Sequence, residues 1–284
     1  MMKQRSSKYL YLLVLLPFLV VAILFEIIPL LMIVVNSFRP EGGGAGVTLA
    51  HYATIFTKPL YKKAILNSIT ISLTSSAFGI VIAFLGGMAA RRAGKGSKLH
   101  NAYLTVLNMT SNFAGVPLAF AYMILLGNSG ILKQWIPFLQ DFDLYTSTGL
   151  NMIYVYFQIP LSTLLMIPAF DGIRQEWQEA STLMGCSAAG FWTRIGAPVL
   201  LPSILGTVSV LFANALAAYA TAYALLMNNF ALLPINVSGM FVGDVTQRKE
   251  MGGALSVVMM ILMVIAMGAN NAIVNRHRKR GARK

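Results

Sequence analysis

"EASTLMGCSAAGFWTRIGAP", Glu179 to Pro198, is the stretch on which the organisation of this chain turns. It is polar, punctuated by Gly185, Gly190 and Gly196, and flanked by two strongly apolar runs. Trp177, Ala180 and Met184 recur at helical spacing, with Glu176, Gln178 and Glu179 elsewhere around the circumference, which predicts a short amphipathic helix over Gln175 to Met184. Gly185 suits a left-handed helix end, and Ser187 suits the opening of a second short helix that carries Phe191 and Trp192. Pro198 is expected to limit the turn before the next apolar run. The stretch reads as a compact helix-turn-helix kept apart from an apolar surround.

That surround is a membrane. Hydrophobic residues make up 57% of the 284 and charged residues 11%, with a mean hydropathy of +0.69, whereas soluble domains carry about 25% charged residues. Six apolar segments have spanning length: 9–35, 65–90, 101–126, 149–170, 199–227 and 253–275. They make one transmembrane domain over 1–284, with loop 171–198 between the fourth and fifth spans. Segment 9–35 is too long for a signal-peptide core and has no small-x-small cleavage site before Glu26, so it reads as a retained span. The lengths leave no room for a large soluble domain.

The net charge of +13 comes from 22 Lys and Arg against 9 Asp and Glu. The cations sit beside the apolar segments, which points to membrane topology and headgroup contact rather than nucleic acid. Most of them fall on one side of a six-span arrangement: Lys3, Arg5 and Lys8, then Arg91, Arg92, Lys95 and Lys98, then Arg174 and Arg194, then the tail from Arg276 to Lys284. The positive-inside rule places that side, with both termini and the Glu179 loop, in the cytoplasm.

Several chemistries are excluded. Cys186 is the one cysteine, and His51, His100 and His277 are scattered, so neither an internal disulfide nor a metal cluster is expected. No carboxylate is placed to orient a histidine, and Asp171 and Glu176 are too isolated for an acid–base pair, so no catalytic residue is expected. Gly94-Lys95-Gly96-Ser97 lacks the upstream glycine and the hydroxyl after Lys that a phosphate loop requires. It reads as a basic turn, and the glycines of 42–46 read as a flexible loop.

The loop resembles the cytoplasmic signature of permease subunits of binding-protein-dependent ABC importers, E-A-A-x3-G-x9-I-x-L-P. Glu179-Ala180-Ser181 is followed by three residues, Gly185, nine residues, Ile195, one residue, Ala197 and Pro198. Ser181 stands for the second Ala and Ala197 for Leu, with the spacing intact. Pro29, Ser37-Phe38 and Asn67-Ser68 extend the likeness. The resemblance implies an all-α subunit of the type I importer fold with six transmembrane helices and a coupling helix between helices 4 and 5. Glu179, Ala180, Ser181, Gly185, Ile195 and Pro198 would then dock a separate ATPase, with Glu179 making polar contacts or capping a helix.

It also implies partners: a cytoplasmic ABC ATPase dimer that binds the ATP and Mg, a second permease subunit, identical or homologous, an extracytoplasmic solute-binding protein and membrane lipids. This chain itself needs no cofactor, and its place is the bacterial inner membrane. The region around "MFVGDVTQRKEMGGALSVVMMIL" (240–262) is similar to permeases of the polyamine, iron(III), thiamine and aminophosphonate group, which favours a polyamine-like solute over a sugar or oligosaccharide. The reading from another class is an ATP-independent secondary transporter or channel, which would need paired charges near mid-membrane. Glu26 has no such partner in the sequence.

Polar residues inside spans mark candidate pathway positions, because each is costly unless it faces protein or water. Asn151, Tyr154, Gln158 and Ser162 share one face of span four at about 100° per residue. Asn108, Ser111, Asn112 and Gly115 do so in span three, where Pro117 is an expected kink. In span five Asn214 and Thr221 share a face opposite Tyr219 and Tyr223. Bonds between helices are the competing role for all of these.

Overall fold

The computed structural model describes residues 14–242 and 247–281, with side chains as far as residue 275. Lys3, Arg5, Lys8, the tail cations and His277 therefore lie outside the described side chains. Among the described residues there is no strand. The helices are α1 Val14–Ser37, α2 Ala50–Thr57, α3 Pro59–Ala93, α4 Lys98–Ser111, α5 Val116–Leu126, α6 Ile131–Trp135, α7 Ser147–Asp171, α8 Gln175–Leu183, α9 Ala188–Ala217, α10 Ala220–Leu226, α11 Leu233–Phe241 and α12 Lys249–Gly281. Six stretches among the described residues are long and apolar enough to cross a membrane: α1, α3, Val116–Trp135, α7, α9 and α12. The protein is thus an all-α membrane protein with a short helix, α8, between its fourth and fifth spans.

Two expected continuous helices are broken. The third apolar segment is interrupted at Asn112–Gly115, between α4 and α5. Thr110, Ser111 and Asn112 turn their side chains back onto the carbonyls of Val106 and Asn108, and Gly115 adopts φ +73, a conformation that costs glycine little. Pro117 lies in the first turn of α5 rather than at a kink. The fifth segment is interrupted at Ala218, between α9 and α10.

At two other places a helix persists where proline should disturb it. Wide turns with i to i+5 hydrogen bonding, Ile23–Ile27 and Trp192–Gly196, come just before Pro29 and Pro198. Proline has no N–H to donate and its ring crowds the carbonyl four residues back, so the wider turn removes the conflict. Pro198 consequently does not limit a turn: α9 runs on from Ala188 into the span.

The helices gather into two compact units, residues 1–62 with 236–260 and residues 63–235 with 261–284. In the first, α1 and α12 cross at Gly253, where a Cβ would lie 3.0 Å from the Ile33 carbonyl oxygen. Ser37 is fully buried there and its Oγ donates to the Val34 carbonyl at 2.6 Å. Tyr52 Oη lies 2.8 Å from the same hydroxyl, and a ring nitrogen of His51 lies 2.9 Å from the Arg39 carbonyl. The Arg248 guanidinium pairs with Glu41 and holds its carboxyl below the ordinary carboxylate range. The apolar side chains of α1 face outward, none of its most apolar window being buried, as a lipid-facing or partner-facing helix requires.

In the second unit α7 is the central post, with α4 and α9 packed along it. α3 joins it by hydrogen bonds and by close approach at glycines. A Cβ at Gly79 would lie 3.2 Å from Gln158 Cβ, and one at Gly87 would lie 2.2 Å from Phe170 Cε2. Small residues at a helix crossing let the backbones approach within packing distance. One apolar core is built around Leu118, Leu150, Ile153 and Ala222. The other, around Met166, Phe170, Phe191, Leu200 and Leu211, joins the end of α7 to α9.

Candidate functional site

The local chemistry of the loop closes it as a rigid unit. α7 ends at Asp171, and Arg174, in extended backbone, opens α8. The far end of α8 carries a full set of end-cap bonds: Cys186 N–H donates to Ser181 O and Gly185 N–H to Thr182 O, both at 2.9 Å. Gly185 sits at φ +75. These are the 6→1 and 5→2 bonds that satisfy the last carbonyls of a helix, and they need a left-handed residue at that point. Two residues on, Ser187 Oγ accepts from Gly190 N–H at 3.1 Å and starts α9. The cap and the restart leave no free length of chain between the two helices.

An aromatic cluster ties together α3 and the two helices that flank α8. Phe170 is tilted against Phe84 and Trp192 meets the same ring edge-on, with ring centroids 5.4 and 5.9 Å away, and Phe191 packs edge-on to Trp192 at 5.6 Å. Phe170 and Phe191 are buried. Within α8 only Ser181 is buried, while Leu183 and Met184 are 89% and 82% exposed. They put two large apolar side chains in the open at the end of a helix rich in Glu and Gln.

Each flank of α8 borders a groove. Trp177, Ala180, Ser181 and Met184 line one of about 640 Å³ together with Cys186, Arg194 and Ile195. Gln178, Glu179 and Thr182 line another of about 770 Å³, whose far wall carries Arg91, Lys95 and Asp171. The Glu179 carboxylate accepts from Gln175 Nε2 at 2.8 Å on its own helix. Ile195 is half-buried in the wide turn, and Pro198 is exposed one turn later. Of the six motif residues, Ala180, Ser181 and Ile195 meet around the first groove, Glu179 faces the second, and Gly185 and Pro198 shape the backbone.

One residue of this site went unread in the sequence. Arg91, at the end of α3, donates from Nη1 to the Phe170 carbonyl at 2.9 Å and to the Ile173 carbonyl at 2.5 Å. Beside it Lys95 pairs with Asp171 at 2.9 Å. Arg91 served only as a topology charge in the sequence, because a partner about eighty residues away leaves no local signature.

The span-four stripe points largely inward. Tyr154, Gln158 and Ser162 are 2%, 0% and 0% exposed. Tyr154 Oη donates to the Ala218 carbonyl at 2.5 Å, Gln158 Nε2 to Ser75 Oγ at 2.8 Å, and Ser162 Oγ to the Gln158 carbonyl at 2.7 Å. Asn151, half-buried, accepts from Thr74 Oγ1. In the fifth segment Asn214 is exposed, and Tyr219 and Tyr223 stack at 5.1 Å, with Tyr223 40% exposed. The two helix breaks are each held by a hydroxyl: Tyr154 at Ala218, and Thr221 Oγ1 at the Gly115 carbonyl, 3.3 Å away.

Comparison with known proteins identifies this arrangement. The family described as binding-protein-dependent transport system inner membrane component matches residues 79–280, and the chain belongs to it. The sulfoquinovosyl glycerol transport system permease protein SmoH of Agrobacterium fabrum is 24% identical over 59% of this chain and 54% of its own length. The chain thus spans about half the length of that relative. A probable sulfate transport system permease protein, cysT, of Helicosporidium sp. is 22% identical over 77% of this chain and 74% of its own. The fold is that of a solved bacterial ABC transporter involved in the import of the acidic polysaccharide alginate, with a TM-score of 0.76 at 16% identity over 96% of this chain and 98% of the other.

Proposed function

We propose that this member of the family is the membrane subunit of an ATP-driven importer, coupled through α8 to an ATPase on another polypeptide. The observation that carries the proposal is the build of α8. It is a short helix with exposed Leu183 and Met184 at its end, capped without slack at Gly185, between two helices whose ends are tied by the Phe84, Phe170 and Trp192 rings. A push on such a helix moves α7 and α9 together, which is what a spanning subunit without its own motor needs. Glu179, Ala180, Ser181 and Ile195 supply the contact surface, and ATP and Mg belong to the partner. Both termini and α8 lie in the cytoplasm, a second permease subunit completes the pathway, and a binding protein delivers solute from the opposite side.

The pathway falls to those candidates that the fold does not bury: Asn151, Asn214, Tyr219 and Tyr223. They favour a hydroxyl-bearing solute of the sugar or oligosaccharide class, since stacked tyrosines and amides suit such surfaces. A polyamine-like cation would need carboxylates along its route, and Glu26 is the one acid away from the ends of the described spans. Relatives of similar identity are named for sulfoquinovosyl glycerol, for sulfate and for spermidine/putrescine, so the choice rests on these side chains.

The test is ATP-driven uptake in proteoliposomes holding the assembled complex, with crosslinking from Glu179→Cys or Ala180→Cys in a Cys186→Ser background. Crosslinks to the ATPase and uptake that needs ATP are expected, as is loss of uptake in Gly185→Asp with membrane insertion intact. Uptake driven by an ion gradient alone, or normal ATP-driven uptake by Gly185→Asp, refutes the proposal.

A further inference from the structure

α8 is continuous in chain with α7, and through Ser187 with α9, so the backbone accounts for the motion of those two spans. It does not account for α3. α3 is 35 residues long and its end lies beside the α7–α8 corner without a chain connection to it. Farther along α7, Gln158 and Ser162 already bond to Ser75 and Gly79 of α3; at the corner itself the buried polar contact is Arg91. Its Nη1 donates to both the Phe170 and Ile173 carbonyls, which belong to the last turn of α7 and the residue that leads out of it. The terminal carbonyls of a helix have no partner within it, and a cation there also meets the negative end of the helix dipole.

The same corner has no room to slip. Gly87, one helical turn before Arg91, lies so close to the Phe170 ring that no side chain fits between them, and Ile173 is 3% exposed. The planar guanidinium fixes the directions of the two N–H bonds of Nη1, so it holds two acceptors in one geometry where an ammonium's donors rotate freely. The Lys95–Asp171 pair next to it has side chains 79% and 40% exposed and adds little.

The geometry points to Arg91 as the positioning residue that makes α3 travel with α8. The inference rests on the reading of α8 as the element moved by an ATPase. Displacement of α8 shifts the Phe170–Ile173 corner, and Arg91 carries that shift into α3, so three spans move as one body. Without Arg91 the ATPase would still close and move α7 and α9, and the end of α3 beyond Gly87 would lag at this corner.

The experiment uses the full complex with its ATPase and binding protein in proteoliposomes, comparing Arg91→Gln and Arg91→Lys with the parent. Uptake and ATP hydrolysis are measured together, and the distance between spin labels at Ala93 and Thr182 is read without nucleotide and with vanadate-trapped ADP. In the parent that distance is expected to be the same in the two states. Arg91→Gln is expected to assemble and hydrolyse ATP, to lose uptake per ATP by about tenfold, and to show a distance that changes on trapping. Arg91→Lys is expected to fall between the two. Unaltered uptake per ATP with a constant distance in Arg91→Gln overturns the role of Arg91 and leaves the reading of α8 standing. Should Arg91→Gln fail to assemble, parent-like coupling in Arg91→Lys overturns it equally. A parent complex whose α8 does not crosslink to the ATPase refutes both.

Discussion

Replacing Gly87 by alanine sets two large effects against each other. In the interior of a helix the change ordinarily stabilises by about 1 kcal/mol, because glycine is the more flexible when unfolded. At Gly87 the new Cβ would lie 2.2 Å from Phe170 Cε2 and 2.5 Å from Cδ2, whereas carbon atoms pack at about 3.5 to 4.0 Å. Phe170 is 1% exposed and its ring is boxed by Phe84 and Trp192, so the ring cannot swing clear and the helices must separate. Overpacking of this kind costs about 1 to 3 kcal/mol, and an overlap above about 1 Å belongs at the upper end. The net expectation is destabilisation by about 2 kcal/mol, or a melting temperature lower by about 4 to 8 °C. Gly268→Ala in α12 is the control, since nothing lies within 4 Å of its Cβ position. That variant should melt at or above the parent. The assay is thermal unfolding in detergent followed by tryptophan fluorescence, with Trp192 in the strained cluster as reporter. A Gly87→Ala protein as stable as the parent would refute the packing described at the α3–α7 corner.

Two further outcomes follow from single contacts. Tyr154→Phe strands the Ala218 carbonyl at the break between α9 and α10, which should cost about 1 to 3 kcal/mol; an unchanged melting temperature would show that the hydroxyl does not hold the break. Glu41 titrates lower when folded because Arg248 hydrogen-bonds to it and lies beside it. Its contribution is therefore complete above the ordinary carboxylate value of 4.5, and is lost as pH falls through the depressed value. Both side chains are substantially exposed, so the effect stays below about 1 kcal/mol. The difference in melting temperature between the parent and Glu41→Gln should shrink between pH 7 and pH 3 and in 1 M salt; a constant difference would refute the assignment.

What the sequence disclosed was governed by range. The α8 helix, its glycine end and the Ser187 restart were legible because caps depend on residues within one turn of each other. The breaks at Asn112–Gly115 and Ala218 were not, since apolar runs on both sides look continuous and the hydroxyls that hold the breaks, Thr221 and Tyr154, come from other elements. The stripe Tyr154, Gln158 and Ser162 shared a face as the spacing required, but only the fold reveals that α3 and Ala218 occupy that face. Pro198 misled because proline alone suggests an ending, while the wide turn ahead of it lets the helix pass.

That wide turn also sets a phase. A π turn accommodates one residue more than an α turn, so the winding of α9 before Trp192 is offset from its winding after Gly196 by one residue, about 100° about the axis. The azimuth of Ala188 to Phe191 is thereby set by the pentamer and not by the winding of the span that follows it. Insertion or loss of a single residue in this pentamer would re-aim Ala188 to Phe191 while leaving every position of the span where it was.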